Sequence, residues 1–272
     1  MKRLLGIFIL FALLASPLLS FAQGCAEPSS EEGVNLFGFF QPQFDYNLYD
    51  APESNFGFNR ARIGVMGNIP YDFSYYMVLE TSPFKKGDPY LMDAFITYGR
   101  FANAKVSMGS FKAPFSLELT QACSGLHTIN RSKVVSQLAS PDRDMGMMLL
   151  GGNDTTLFRY AVAIMNGTGL LVHDDNLFKD IIGRVICQPA DFVKFGGSFK
   201  YGKAVPAMDG AEPDTRFRFG GEIQLDWKGF HVQGEYIFGK DIGSYTTGGG
   251  CGEELEVHEG TVERDGMYVM AL

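Results

Sequence analysis

Long apolar runs are absent from most of this sequence. After Ala22, no uninterrupted apolar stretch approaches the ~18 residues that a membrane-spanning helix requires. The mean hydropathy of −0.01 excludes a bundle of such helices. A β-barrel remains compatible with this value, because its strands alternate lipid-facing and water-facing residues. The chain after Ala22 is therefore either a soluble protein or a membrane-spanning β-barrel.

Cysteine and basic residues are also too scarce for several classes of protein. Four cysteines (Cys25, Cys123, Cys187 and Cys251) are too few and too scattered for a disulfide scaffold. Cys123 and Cys251 both fall in expected external loops, so a bridge between them stays open beside the alternative of free thiols. The net charge of −8, with no long basic run, argues against nucleic acid as a partner.

Catalytic and metal-binding motifs are missing as well. The histidines (His127, His173, His231 and His258) form no His-x-x-x-His pair, and no Gly-x-Ser-x-Gly elbow occurs. His231 would face a barrel lumen, whereas a barrel phospholipase needs serine and histidine together on the lipid side. The sequence therefore predicts no enzyme, no cofactor and no metal site.

The first 22 residues form a distinct local signal. A basic start and an apolar core are followed by small residues that end at Ala22. This pattern predicts a secretory signal peptide over 1–22, cleaved near Ala22, and then a short periplasmic segment over 23–33. A membrane-anchoring helix and a lipoprotein signal acylated at Cys25 are the alternatives.

Period-two alternation runs through most of the remaining chain. In residues 216–227, one face is apolar from Phe217 to Trp227, and the other carries Arg216, Arg218 and Glu222. Alternating segments of roughly ten residues suit tilted strands that cross a hydrocarbon layer. The pattern predicts about twelve strands, near 34–49, 55–69, 71–82, 90–100, 103–112, 145–152, 156–167, 180–188, 192–202, 215–227, 230–240 and 265–272.

The links between these expected strands alternate in length. Short turns follow the even-numbered strands, and longer links follow the odd-numbered ones, at 50–54, 83–89, 113–144, 168–179, 203–214 and 241–264. Outer-membrane barrels have tight periplasmic turns and long external loops, whereas a soluble β-sandwich has no reason to keep this rule. The sequence therefore predicts an all-β fold, a transmembrane antiparallel β-barrel over residues 34–272. The sandwich remains the alternative.

The polar face of the expected strands carries most of the charge. Charged side chains facing lipid near the midplane would cost ~2–4 kcal/mol each, so these should line the lumen. The predicted pore-lining cations are Arg60, Arg62, Lys105, Arg184, Lys194, Lys200, Arg216 and Arg218. Inward acids are Asp45, Asp72, Glu80, Asp93, Glu222, Asp226 and Glu235. The cations form either an anion-selective pathway or a merely solvated lumen, since strand register is not readable from the sequence.

The longest link, residues 113–144, is the expected constriction. Its mix of apolar and polar residues allows it to fold into the barrel and narrow the lumen, with Arg131, Lys133 and Arg143 near the narrowest point. An outward loop that forms a lid or an adhesive surface is the alternative.

Several segments resemble one family. These are Asn59-Arg60-Ala61-Arg62-Ile63-Gly64-Val65, residues 92–98, the segment Gly109-Ser110-Phe111-Lys112-Ala113-Pro114-Phe115-Ser116-Leu117-Glu118, Arg131-Ser132, and the runs 141–146 and 160–167. Together they resemble the phosphate-selective porin O and P family of bacterial outer-membrane porins. The Phe-Lys-x-Pro-Phe-Ser segment is the most specific part of this resemblance.

The resemblance implies a sixteen-strand barrel in the outer membrane, surrounded by lipid and assembled as a homotrimer. It implies passive diffusion of small inorganic anions such as phosphate through an arginine-lined lumen. By motif position, the resemblance assigns this lumen-lining role to Arg60, Arg62, Lys112, Arg131 and Arg143. Strand parity, however, places the Lys112 side chain on the outward, lipid-facing side of its strand.

Two departures from the family pattern stand out. About twelve strands are present instead of sixteen, which predicts a C-terminally truncated chain. Acids also intrude among the inward bases, and the acidic loop at 253–256 could repel anions. A general non-selective porin and a barrel that binds partners through its loops, without channel activity, therefore stay open.

Overall fold

The computed structural model describes residues 33–48, 53–82, 87–174, 176–205, 213–247 and 256–272. Twelve antiparallel strands form one sheet, and each strand pairs with the next along the chain. The strands are β1 (Gly33–Asn47), β2 (Glu53–Ile69), β3 (Phe73–Glu80), β4 (Tyr90–Tyr98), β5 (Lys105–Lys112), β6 (Arg143–Gly151), β7 (Phe158–Met165), β8 (Asp180–Ala190), β9 (Val193–Ala204), β10 (Asp214–Trp227), β11 (Phe230–Thr247) and β12 (Glu256–Ala271). The predicted all-β fold is confirmed. The expected signal peptide, Cys25 and Cys251 lie outside the described residues.

The last hairpin differs from the sequence prediction. The expected link 241–264 is largely strand, because β11 continues to Thr247 and β12 begins at Glu256. Cross-strand pairs support this extension: Lys240 Nζ lies 2.8 Å from Glu263 Oε1. Such pairs stabilise a sheet even where the sequence alternates weakly, and they are invisible before the register is known.

Within the described residues, the helical segments all lie in the link between β5 and β6. They are α1 (Leu117–Thr120), a 3-10 turn (Cys123–Gly125) and α2 (Lys133–Leu138). No helix in the described part of the chain has the length and apolar character needed to cross a membrane.

Tight turns collect at one end of the sheet, which we call the short-turn end. The β10–β11 turn consists of Lys228 and Gly229, both with positive φ, of 48° and 89°. Two successive positive values are typical of the type I′ turns that join adjacent strands most tightly. Asp72 has a φ of 64° and lies in the β2–β3 turn, so its predicted inward strand position is wrong. The opposite end carries the links 113–142 and 166–179, and we call it the long-link end.

The sheet exposes its apolar face and buries its charges. Leu36, Phe40 and Met267 are each more than 70% exposed, whereas Lys200 and Glu235 are 3% and 4% exposed. A soluble sandwich would show the opposite arrangement, because its apolar faces would meet in a core. Lipid favours the observed one, since the apolar face then remains in hydrocarbon and the charges avoid it.

Candidate anion pathway

The β5–β6 link folds into the interior of the sheet instead of projecting outward. Its Phe115, Leu119 and Val135 are fully buried against wall residues such as Ile182 of β8 and Ile237 of β11. We call residues 113–142 the infolded segment. The infolded segment contacts β8 and β11 on one side and β2 on the other. The prediction that this link folds into the interior therefore agrees with the structure.

One wall carboxylate anchors the start of this segment. Glu235 of β11 accepts hydrogen bonds from Ser116 Oγ at 2.9 Å and from the Leu117 backbone N–H at 3.1 Å. Ser116 also caps α1, where its Oγ accepts from the Leu119 N–H. Because both donors are buried, losing Glu235 would leave two unsatisfied groups in the interior.

Wall cations hold the rest of the segment through its oxygen atoms. Arg60 Nη1 donates to the Ile129 carbonyl at 2.6 Å, and Arg218 Nε donates to the Leu138 carbonyl at 3.2 Å. Arg184 Nη1 donates to Thr120 Oγ1 at 2.7 Å, and Lys200 Nζ to the Ser140 carbonyl at 3.2 Å. The predicted pore-lining cations therefore have a structural role, which the sequence analysis missed.

Four arginines meet at a cavity on the long-link side of the infolded segment. This arginine cavity has a volume of about 380 Å³, and its lining includes Arg60, Arg62, Arg131 and Arg143 together with Asp142. Two come from β2, one from β6 and one from the infolded segment. Guanidinium groups present forked donors that match the oxygens of phosphate and carboxylate.

Carboxylates offset three of these four arginines. Arg62 pairs with Glu80 at 2.8 Å, Arg143 with Asp93 at 2.8 Å and Arg131 with Asp142 at 3.3 Å. Arg60 has no ion pair among the described residues.

Arg60 instead donates to neutral oxygens, including Gln41 Oε1 at 2.7 Å. It therefore supplies the uncompensated positive charge of the arginine cavity.

Lys112 and Cys123 lie beneath this cluster. Lys112 Nζ donates to the Gln121 carbonyl at 2.7 Å, so the side chain meets the infolded segment, and its outward assignment by strand parity is wrong. Lys112 is the last residue of β5, where the chain enters the infolded segment. Cys123 is a buried free thiol that accepts from Arg131 Nη2 at 3.6 Å.

The Cys123 thiol should make anion selectivity depend on pH. Burial raises the pKa of this thiol, but the positive charges of Lys112, Arg62 and Arg131 lower it by more, and the resulting pKa is about 7. The thiol is neutral below this value and a thiolate above it, so anion selectivity should fall as the pH rises from about 6 to about 8. We expect the chloride-to-potassium permeability ratio to drop about twofold over this range.

Reversal potentials at several pH values measure this ratio. The Cys123→Ser variant should show a smaller drop in this ratio than the unmodified protein, whereas Cys187→Ser, which removes the other described free thiol, should show the full drop. An identical pH profile in all three proteins would show that the thiol does not titrate in the pathway.

Three further predicted cations are buried in ion pairs along the wall. Arg184 pairs with Glu222 at 2.5 Å, Lys200 with Asp180 at 3.3 Å, and Arg218 with Asp241 at 2.6 Å. Gly202 makes room for the second of these pairs, since a Cβ atom there would lie 1.7 Å from Asp180 Oδ1.

The remaining predicted site residues are dispersed. Lys105 is half-buried on the inward face of β5, near the short-turn end, and Lys194 lines a second cavity there. Lys133 and Arg216 are exposed and line neither cavity, so the structure does not bring Lys133 to the arginine cavity, and the lumen position of Arg216 stays a prediction. Arg216 lies towards the long-link end of β10, beyond the contacts that bury Arg218.

Sequence reasoning also missed Arg159, which is 5% exposed on β7. The same period-two count would have found it, because Arg159 alternates with Phe158 and Val162, whose side chains are exposed. No cluster of three or more His, Cys, Asp or Glu side chains suited to a metal ion occurs within the residues the structure describes.

Comparison with known proteins supports the fold and the motif resemblance. Residues 36–165 match the model of the family described as phosphate-selective porin O and P. This range contains all four arginines of the arginine cavity. A comparison with curated protein sequences gave no match.

Two solved structures share the fold. One is OmpT of Vibrio cholerae, folded in vitro and in trimer form, with a TM-score of 0.61, 12% identity, and coverage of 88% of this chain and 71% of that chain. The other is an OmpT variant that lacks loop L8, with a TM-score of 0.56, 12% identity, and coverage of 88% and 76%. Both are outer-membrane proteins. With the family match, they support an outer-membrane porin channel and indicate a channel rather than an enzyme.

Proposed function

We propose that this chain, a member of the phosphate-selective porin O and P family over residues 36–165, conducts small anions through the arginine cavity, with phosphate as the preferred solute. The observation that carries the proposal is the arginine cavity itself. Four guanidinium groups converge beside a segment that fills much of the interior, and Arg60 among them has no acidic partner in the described residues.

The balance of charges limits how strongly anions are held. A conducting site must bind its ion well enough to admit it and weakly enough to release it. Three carboxylates offset three of the arginines, which leaves mainly the charge of Arg60 and that of the neighbouring Lys112. The arginine cavity therefore favours passing anions and releases them, while unused guanidinium N–H groups remain for phosphate oxygens.

The same ion pairs favour a second candidate, a general non-selective porin. Arg184, Lys200 and Arg218 are each paired with a carboxylate, so much of the described wall is close to neutral. The two candidates differ in whether the arginine cavity or this neutral wall governs the current.

The setting of the channel is part of the proposal. We place residues 34–272 in the outer membrane, after cleavage of the signal peptide near Ala22, with lipid against the apolar face and the long-link end outside. We also propose a homotrimer, which the trimer form of the Vibrio cholerae protein supports. Chemical crosslinking in detergent should give a three-chain product.

Reversal potentials test the conduction proposal. The full-length protein is inserted into a planar bilayer under a potassium chloride gradient, with and without added phosphate. We expect anion selectivity and a chloride current that phosphate reduces. Cation selectivity, or a current that phosphate leaves unchanged, would support the general porin. No current at all would support a barrel that binds partners through its loops.

A further inference from the structure

A second cavity lies on the short-turn side of the infolded segment. Its volume is about 320 Å³. The charged and titratable side chains of its lining are those of Arg159, Arg184, Lys194, His127, His231 and Asp226. They come from five wall strands and from the infolded segment. We call it the histidine cavity.

Two donors in the histidine cavity lack partners within the described residues. Arg159 is 95% buried and its Nη1 bonds Asp154, but its Nε is buried without any hydrogen-bond partner. Lys194 makes no ion pair among these residues. Arg159 lines the cavity, and a buried guanidinium N–H without a partner is suited to an anionic acceptor, because such a group is costly to leave unsatisfied.

The net charge of the cavity depends on the protonation of His127. Arg159 is offset by Asp154 and Arg184 by Glu222, so both pairs are close to neutral. The positive charge of Lys194 and the negative charge of Asp226 then cancel while His127 is neutral. Protonation of His127 would add a positive charge to a site that already contains the unsatisfied N–H of Arg159.

The two histidines face each other across the junction between segment and wall. The His127 and His231 ring centroids are 4.6 Å apart, and His231 Nδ1 lies 2.6 Å from Asp226 Oδ1. Besides Asp226, the charged groups around the pair are Lys194, Arg159 and Arg184. Burial and the charge of His231 lower the pKa of His127 below its ordinary value, while the charge of Asp226 raises it by less.

We propose that the histidine cavity is a second anion-binding site, for a small divalent oxyanion, and that protonation of His127 strengthens it. This goes beyond the proposed anion pathway, because it places a separate site below the arginine cavity and makes its occupancy depend on pH. A bound anion would accept from Arg159 Nε and Lys194 Nζ, and a protonated His127 would add a third donor.

Block of the channel current by sulfate tests this proposal. Sulfate is a suitable probe because it stays divalent between pH 5.5 and 7.5, unlike phosphate. It is added on the short-turn side of channels formed by the full-length protein. We expect the half-blocking concentration to be about fivefold lower at pH 5.5 than at pH 7.5. The His127→Gln variant should lose most of this difference, and Lys194→Gln should weaken the block at both pH values.

A matched control and a second measurement separate the possible outcomes. His173→Gln, which changes a histidine outside the cavity, should behave like the unmodified protein. A pH dependence that survives in His127→Gln would overturn the proposal. A cation-selective channel that still shows the histidine-dependent block would sink the conduction proposal and leave this one standing. In a protein without current, sulfate should still shift the His127 ring signals in NMR spectra at pH 5.5, and unshifted signals would overturn the site.

Discussion

An Arg60→Glu variant is expected to prefer cations where the unmodified channel prefers anions. Arg60 is the uncompensated cation of the arginine cavity, and glutamate changes the charge there by two units. At ~6 Å and an effective dielectric constant between ~20 and ~80, one charge contributes about 0.7–3 kcal/mol. The chloride-to-potassium permeability ratio, measured from reversal potentials, should therefore fall about tenfold or more.

Two control variants isolate the position and the charge. Arg216→Glu makes the same charge change on an exposed side chain that lines neither cavity, and should alter the ratio less than about twofold. Arg60→Lys keeps the charge but loses the forked donor, so it should keep anion preference and weaken the block by phosphate. Equal shifts in the Arg60→Glu and Arg216→Glu variants would mean that the arginine cavity does not control selectivity.

The sequence predicted the strands because a sheet with one face in lipid must alternate strictly. This requirement placed Arg60, Arg184 and Arg218 on the charged face, where the structure has them buried. This requirement failed at Lys112, which lies at the end of β5 and bonds the infolded segment, and at Asp72, which forms a turn. Alternation describes a regular strand and carries no information about such irregularities.

Ion pairing could not be predicted, because it depends on contacts between distant parts of the chain. Arg143 and Asp93 are 50 residues apart, and Ser116 and Glu235 are 119 apart. The sequence therefore indicated a row of cations but not that carboxylates pair with six of them. It also could not show that several of these cations hold the infolded segment in place.

These tethers connect the selectivity of the pathway to its width. Arg60 supplies the free charge of the arginine cavity and also holds the Ile129 carbonyl of the infolded segment. Arg131 and Asp142 belong to that segment and also line the cavity. The arginine cavity therefore exists only while the segment stays packed inside, and loosening the segment should change conductance and selectivity together.

A Phe115→Ala variant tests this connection. Phe115 is fully buried between the infolded segment and the wall, and replacing a buried phenylalanine with alanine costs about 3–5 kcal/mol. That loss should release the segment from the lumen for part of the time. We expect single-channel conductance to rise several-fold and the block by phosphate to disappear, because Arg131 and Asp142 would leave the arginine cavity.

The matched control changes an exposed side chain of the same segment. Ile129 is 66% exposed, and Ile129→Ala keeps the carbonyl that accepts from Arg60. This variant should retain the conductance and phosphate block of the unmodified protein, and far-ultraviolet circular dichroism should show the same strand content in all three proteins. If Phe115→Ala folds and loses thermal stability at unchanged conductance, the segment does not set the width of the pathway. The constriction would then have to be formed by the wall itself, where the carboxylate-paired Arg184, Lys200 and Arg218 lie.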